Sequence, residues 1–225
     1  MKRILTAVCL IPPVVYLIFK APGPLLLAAV AMVALLCFYE YAGLVRAYGY
    51  GSLGPVGYVA GLVLLLAPEA GWLLFVLLAS LALTLVLRRN HVAAMLPEAG
   101  MIVFGLLYIF GAWRCAPALR QLSPHWLFFA LVLNWLGDSA AYYAGRAGGK
   151  HKMAPLLSPK KTWEGAAASV AAAVVFGVVY MGRFAPAVPW WEVAALAAVA
   201  NSAGQIGDLA ESAIKRGAGV KDSGS

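Results

Sequence analysis

The sequence predicts an all-α, polytopic integral membrane protein with about eight transmembrane helices. Hydrophobic residues make up 63% of the 225 positions and charged residues only 12%, about half the charged share that covers the core of a soluble domain. The apolar runs are rich in Leu, Ala and Val, approach the ~20 residues that cross a bilayer, and do not alternate as barrel strands do. Because only helices and closed barrels satisfy their own backbone in lipid, these runs indicate helices.

Candidate spans follow from reading these runs along the chain. They cover roughly 4–19, 24–45, 53–67, 71–87, 99–117, 126–145, 165–182 and 190–210. The sequence contains no stretch with the composition of a soluble domain. We therefore expect one membrane domain, in which 1–125 supplies N-terminal transmembrane helices and 126–225 carries transmembrane helices, a loop and the polar motifs.

The basic residues predict the orientation. With the N-terminus in the cytoplasm, only four of the 17 lie outside: Lys20, Arg114, Arg120 and Arg183. The others lie inside: Lys2, Arg3, Arg46, Arg88, Arg89, Arg146, Lys150, Lys152, Lys160, Lys161, Lys215, Arg216 and Lys221. This excess satisfies the positive-inside rule, which also explains the net charge of +8 without a nucleic-acid partner. The loop 146–164 and the C-terminal tail then share the cytoplasmic side.

The last span carries a polar stripe. Asn201, Gln205, Asp208, Ser212 and Lys215 follow one another at intervals of three or four residues, which places them on one helical face. An ionised Asp that faces lipid costs several kcal/mol, so the stripe must face protein or water. Either an interhelical hydrogen-bond seam or a hydrated cleft fits; the carboxylate and ammonium at its end favour the cleft.

A weaker polar stripe lies on the sixth span, where Asn134, Asp138 and Tyr142 are four residues apart. Small residues around them allow close approach of a neighbouring helix. Asp138 is either a structural partner of a cation or part of a polar site, and the sequence leaves both open.

The loop between these spans contains Ser-Pro-Lys-Lys-Thr-Trp-Glu-Gly at 158–165. Ser158 followed by Pro159 is typical of a helix N-cap and first helical residue, which would put Lys160 and Lys161 in the first turn. Two ammonium groups at a free helix N-terminus would favour a bound phosphate. The alternative is a pair of lysines that face lipid headgroups, and His151 is most simply a solvated loop residue.

The tail after 210 mixes cations and acids. It places Lys215, Arg216 and Lys221 near Glu211 and Asp222. Cations for phosphates beside carboxylates for Mg²⁺ are the groups that nucleotidyl transfer needs. The Walker loop, HExxH and GxSxG motifs of commoner enzyme classes are absent from the sequence.

At these residues the chain resembles the phosphatidate cytidylyltransferases, or CDP-diacylglycerol synthases. Their C-terminal signature, Ser-x-apolar-Lys-Arg, four residues, then Lys-Asp-x-Gly, is matched in order and spacing by Ser212, Ile214, Lys215, Arg216, Lys221, Asp222 and Gly224. The preceding Gly-Asp-Leu-x-Glu begins at Gly207, and the loop 158–165 is similar to the family's Ser-Pro-x-Lys-Thr element. The motifs extend from about 134 to the end of the chain.

The resemblance implies a multi-pass protein of the cytoplasmic membrane whose site faces the cytoplasm. The implied reaction takes CTP and phosphatidic acid to CDP-diacylglycerol and pyrophosphate, an early step of phospholipid synthesis, with Mg²⁺ and room for a second metal ion. The residues it assigns are Asp208, Lys161, Lys215 and Arg216 to catalysis, Ser158, Lys160, Thr162, Lys221 and Asp138 to substrate binding, and Asp208 and Asp222 to metal. A homodimer is compatible with the sequence.

The family signature continues after Gly224 to a further acidic pair and a ninth span. We therefore expect a C-terminally truncated chain, incomplete as an enzyme by itself. The alternative from another class is an ion-coupled transporter that uses Asp138 and Asp208 as cation sites; its paired broken helices in two halves are not evident, since the polarity lies in one half. A CDP-alcohol phosphotransferase is disfavoured because its aspartate-rich pattern is absent.

Overall fold

The computed structural model describes residues 2–51, 54–66 and 94–221, and helices form nearly all of these residues. Within these ranges the helices are α1 (Lys2–Phe19), α2 (Gly23–Ala47), α3 (Gly54–Leu66), α4 (Met95–Leu122), α5 (Pro124–Gly148), α6 (Trp163–Phe184) and α7 (Trp190–Gly217). A short hairpin, β1 (Lys152–Ala154) and β2 (Ser158–Thr162), lies between α5 and α6. The predicted all-α class is confirmed, with this hairpin as the departure.

Three of the described helices are long and apolar enough to cross a membrane, namely α2, α4 and α6. Two shorter apolar helices, Cys9–Phe19 and Gly54–Leu66, coincide with the first and third predicted spans. The sixth and eighth predicted spans coincide with α5 and α7, which carry the polar stripes. The fourth, 71–87, lies outside the described residues, so the total of eight stays a prediction.

The chain divides into two compact units. The first contains Met1–Gln121 and Gly217–Ser225, and the second contains Leu122–Arg216. The predicted division into 1–125 and 126–225 describes where the motifs lie and stays a prediction; the structural units differ from it by grouping the tail with the first unit.

The first unit has an aromatic centre. Phe38 and Phe110 are fully buried, with ring centroids 5.3 Å apart, and Tyr58 meets Phe38 edge-on at 5.0 Å. The Phe110 ring lies where a Cβ on Gly61 would be, so the close approach requires glycine there. Such packing of small residues against rings is what stabilises helix pairs in lipid, where apolar burial itself adds little.

The second unit consists of α5, α6, α7 and the hairpin. Its apolar core is formed by Phe129, Leu133, Ala173, Met181, Val193 and Ala197. On the side of this core toward the hairpin, the packing becomes polar: Ser169 of α6 donates to Asn201 Oδ1 of α7 at 3.0 Å, and both residues are buried.

The three helices meet at Gly137 of α5. A Cβ there would lie 2.6 Å from Ser169 Oγ and closer still to Asn201 Nδ2. Because Asn201 is held by hydrogen bonds and Ser169 is fully buried, neither can move away without breaking the seam.

Gly137→Ala is therefore expected to destabilise the second unit by about 1–3 kcal/mol, the usual cost of overpacking. The matched control is Gly182→Ala on α6, where nothing lies within 4 Å of an added Cβ and the higher helix propensity of Ala should leave stability equal or raised. Thermal unfolding in detergent compares the two variants. Equal unfolding temperatures would contradict the close crossing at Gly137.

Candidate active site

The hairpin that leads into α6 corrects the sequence interpretation of its start. Residues 158–162 form strand β2, which pairs with β1. Thr162 lies opposite Lys152, and Ser158 lies opposite Ala154. Ser158 is therefore not the helix N-cap, and Lys160 and Lys161 lie before the helix rather than in its first turn. Antiparallel pairing with 152–154, four to ten residues earlier in the chain, keeps this segment extended.

Thr162 is the actual N-cap of α6. Its backbone is extended (φ −129°, ψ 153°), and its Oγ1 accepts a hydrogen bond from Gly165 N at 3.2 Å, as N-cap hydroxyls do. Thr162 is buried among glycines. A Cβ added to Gly145 would lie 3.0 Å from Thr162 Oγ1, and one added to Gly149 would lie 2.7 Å from the same atom. Glycines at these positions let the end of the hairpin sit directly against α5.

A cleft of about 210 Å³ opens between these elements within the second unit. It is lined by Asp138, Ala141 and Tyr142 of α5, Met153, Lys160, Lys161 and Thr162 of the hairpin, Gly165, Ala166 and Ser169 of α6, and Gln205 of α7. The structure thus brings together Asp138, Lys160, Lys161 and Thr162, four of the residues predicted for the site.

An ion pair between Lys161 Nζ and Asp208 Oδ2 joins the hairpin to α7 beside this cleft. The Lys161 side chain is 28% exposed and that of Asp208 is 55% exposed, so both groups remain within reach of a ligand from solvent. Asp138 is within electrostatic range of both. Lys161 thus pairs with one carboxylate, that of Asp208, and interacts electrostatically with a second, that of Asp138.

The first part of the polar stripe of α7 forms interhelical hydrogen bonds, as one of its two interpretations predicted, and the hydrated cleft at its other end stays a prediction. Asn201 Oδ1 accepts from Ser169 Oγ and, at 2.8 Å, from Gln205 Nε2, which forms a buried interhelical seam. Gln205 Nε2 also lies 3.3 Å from Ala166 O and borders the cleft. Asp208 is exposed, and Ser212 and Lys215 beyond it are half-buried.

Other predicted site residues lie apart from the cleft or serve local contacts. Lys215 Nζ pairs with Glu211 Oε1 at 2.7 Å along α7, and Arg216 is exposed two helical turns beyond Asp208. Ser158 pairs in the hairpin. Lys221 is exposed in the first unit, and Asp222 lies outside the described residues. The roles predicted for all of them stay predictions.

Glu164 is a functional candidate that the sequence interpretation missed. Its carboxylate accepts hydrogen bonds from the backbone N–H groups of Lys150 and His151 and contacts His151 Nδ1 at 2.7 Å. The His151 side chain is largely exposed, as predicted for a loop residue, and it also contacts Glu164. The sequence did show that Glu164 closely follows the predicted start of a helix. It did not show that Glu164 would contact His151, which lies 13 residues earlier.

The carboxylates available to Mg²⁺ are few. Over 2–51, 54–66 and 94–221 no three His, Cys, Asp or Glu side chains group as a metal site would. Mg²⁺ is commonly bound by one or two carboxylates together with substrate phosphates and water rather than by a protein cage. Asp208 and Asp138, beside the cationic hairpin, fit a Mg²⁺ of that kind.

The fold and the cleft define an α-helical membrane protein with a phosphate-compatible polar site at one end of a three-helix unit. The chain belongs to the cytidylyltransferase family, whose family model matches residues 1–225. The resemblance seen in the sequence motifs is thereby confirmed.

Several relatives bear the name phosphatidate cytidylyltransferase. The Brucella suis protein is 34% identical over 99% of this chain and 82% of its own length. The Bacillus subtilis protein is 32% identical over 67% of this chain and 56% of its own length, and the Staphylococcus saprophyticus protein is 33% identical over 62% and 53%. The match thus spans about half the length of the last two relatives.

Proposed function

We propose that this protein transfers a cytidylyl group from CTP to phosphatidic acid, giving CDP-diacylglycerol and pyrophosphate. The observation that carries the proposal is the Lys161–Asp208 pair beside a cleft lined by Lys160 and Asp138, in a chain of the cytidylyltransferase family. Family membership favours this transferase over an ion-coupled transporter.

In the proposed reaction an oxygen of the phosphatidate phosphate attacks the α-phosphorus of CTP. The bond from that phosphorus to the bridging oxygen breaks, and pyrophosphate leaves with the electron pair. The attacking phosphate needs no deprotonation once it is a dianion. The chain's own work is then to align two anionic phosphates and neutralise their charge.

The lysines of the hairpin suit this work. The Lys160 and Lys161 ammonium groups would bind the triphosphate; Lys161 would exchange its contact with Asp208 for a phosphate oxygen. Asp208, with Asp138, would then be free to hold Mg²⁺, which when bound supplies charge neutralisation on the phosphate oxygens. Lys215, Arg216 and Lys221 would add positive charge for the lipid phosphate, and Ser158 and Thr162 would orient the hairpin.

The site's place at the end of the helices suits a lipid substrate, whose acyl chains stay in the bilayer while its phosphate meets CTP. We assign the protein to the cytoplasmic membrane with about eight spans, and the cleft to the cytoplasmic side.

The test of the reaction uses the complete gene product in detergent micelles with labelled CTP, phosphatidic acid and Mg²⁺. We expect CDP-diacylglycerol and pyrophosphate in equal amounts, and neither product when phosphatidic acid is omitted or ATP replaces CTP. Failure to form CDP-diacylglycerol in protein that remains folded would overturn the proposal.

The topology is tested by single cysteines in a variant without Cys9, Cys37 and Cys115. Basic residues concentrate around Ala147 and Ala218, which predicts that both lie on the cytoplasmic side. Cysteines at these positions should therefore react with a membrane-impermeant thiol reagent only after the cells are permeabilised. The control is Ala187, in the α6–α7 loop predicted to lie outside, which should react in intact cells. Labelling of Ala147→Cys from outside would refute the orientation.

A further inference from the structure

Glu164 connects the two ends of the segment that carries the lysines. We call this segment, 150–162, the lysine hairpin. Glu164 Oε1 accepts from Lys150 N at 3.1 Å and from His151 N at 3.2 Å, and lies 2.7 Å from His151 Nδ1. In the opposite direction Trp163 N donates to His151 O at 3.0 Å. The first residues of the hairpin are thus bound to the first turn of α6, directly after its last residue.

The far end of the hairpin is fixed independently. Thr162 is 3% exposed, caps α6 and packs where Gly145 and Gly149 leave room. Between the two ends the β1–β2 pairing holds the strands together. With both ends fixed, Lys160 and Lys161 are presented to the cleft from a closed loop rather than from a free one.

A closed loop matters for a ligand with several phosphates. Exposed lysine side chains and loop backbone lose conformational entropy when they bind, and binding is tighter when this ordering is already complete in the free protein. Two of the contacts of Glu164 are with the backbone N–H groups of Lys150 and His151, and these order the loop whatever side chains it carries. Hydrogen bonds to a charged acceptor are about twice as strong as neutral ones.

We infer that Glu164 is a positioning residue: it closes the lysine hairpin so that Lys160 and Lys161 face the nucleotide phosphates before the nucleotide arrives. The inference rests on the proposed function for the identity of the ligand. Glu164 does not line the cleft, so it acts through the hairpin rather than by touching substrate.

A second effect of Glu164 must be separated from this one. An acid in the first turn of a helix also interacts with the helix dipole. Glu192 provides the comparison, since it is an exposed acid in the first turn of α7. Glu192→Gln removes the same charge from the first turn of a different helix, α7, whose start does not carry the hairpin.

The first measurement is hydrogen exchange of the unliganded wild-type protein. We expect the Lys150 and His151 amides to be protected, and Glu164→Gln to accelerate their exchange about tenfold or more while Glu192→Gln leaves it unchanged. Unprotected amides at both positions in the wild type would show that Glu164 does not close the lysine hairpin. This result does not depend on whether the proposed reaction is correct.

The second measurement is steady-state cytidylyl transfer by the complete gene product. Glu164→Gln should raise the KM for CTP about tenfold, with a smaller change in kcat and in the KM for phosphatidic acid; His151→Ala, which keeps the backbone contacts, should have a smaller effect of the same kind. A fall in kcat alone, or equal behaviour of Glu164→Gln and Glu192→Gln, would refute the positioning role. If the wild type makes no CDP-diacylglycerol, the proposed function fails, but the exchange measurement still decides whether Glu164 closes the lysine hairpin. If Glu164→Gln does not fold, the exchange of the wild type and the kinetics of His151→Ala decide that question.

Discussion

Asp208→Asn is expected to lower the rate of cytidylyl transfer by ~10²-fold or more, the size of effect seen when one electrostatic stabiliser of a transition state is removed. Asp208 pairs with Lys161 beside the cleft and is about half exposed, so its carboxylate can reach both the hairpin and a Mg²⁺ brought in with CTP. Asn preserves the size of the side chain, and the accessible position of Asp208 makes a folding defect an unconvincing explanation for lost activity.

The control for Asp208→Asn is Glu211→Gln, one turn further along α7. Glu211 is also accessible and also pairs with a lysine, Lys215, so it reproduces the loss of a helix-surface ion pair. We expect this variant to retain activity within about threefold, as exposed ion pairs contribute little. Asp138→Asn should fall between the two.

The Mg²⁺ dependence decides what Asp208 does. If it holds the metal, Asp208→Asn should require a higher Mg²⁺ concentration for half-maximal rate. An unchanged Mg²⁺ dependence with a raised KM for CTP would assign Asp208 to holding Lys161 alone, and near-normal turnover of labelled CTP would remove it from the site.

The helices and the polar faces were predictable because their causes lie in the local sequence. An apolar run near bilayer length has few alternatives to a helix, and residues at intervals of three and four fall on one face whatever surrounds them. Asn201, Gln205 and Asp208 therefore could be placed together. That Asn201 would be buried against Ser169 while Asp208 stays accessible depends on where α6 begins, which the stripe itself does not encode.

The hairpin was not predictable because its local signals fit two structures. Ser158 before Pro159 is a common start of a helix. The same two residues fit equally well in a strand at the edge of a sheet, because the N–H group that Pro lacks is not needed for strand pairing there. The choice is made by pairing with Lys152–Ala154 and by Thr162 as the cap. The contacts of Glu164 with Lys150 and His151 exist only once that hairpin has formed.

Lys161→Met is expected to have two opposite effects. Cytidylyl transfer should fall by ~10²-fold or more, because a charge that neutralises the transferred phosphates is lost. In the absence of nucleotide, however, the affinity for a divalent cation should rise about three- to tenfold, since Lys161 is the cation that pairs with Asp208 in the structure. The gain is modest because solvent screens an ion pair this exposed.

Mn²⁺ binding followed by electron paramagnetic resonance measures the second effect without any turnover. The matched control is Lys160→Met, which removes the neighbouring ammonium from the same strand and the same cleft. Both variants lose one positive charge, so a general electrostatic effect would raise Mn²⁺ affinity equally in the two. The cation would be placed at Asp208 by two results together. Mn²⁺ affinity would rise more in Lys161→Met than in Lys160→Met, and this rise would disappear in the Lys161→Met/Asp208→Asn double variant.

The pair of results would also determine the order of events at the site. If Lys161 holds Asp208 until the triphosphate draws it away, the wild-type protein binds Mn²⁺ weakly alone and more tightly with CTP, whereas Lys161→Met loses most of that difference. The coupling is reciprocal by thermodynamic necessity, so CTP affinity must show the same dependence on Mn²⁺. Equal Mn²⁺ affinity with and without CTP in the wild type would contradict the exchange of partners by Lys161 and leave its contact with Asp208 a purely structural one.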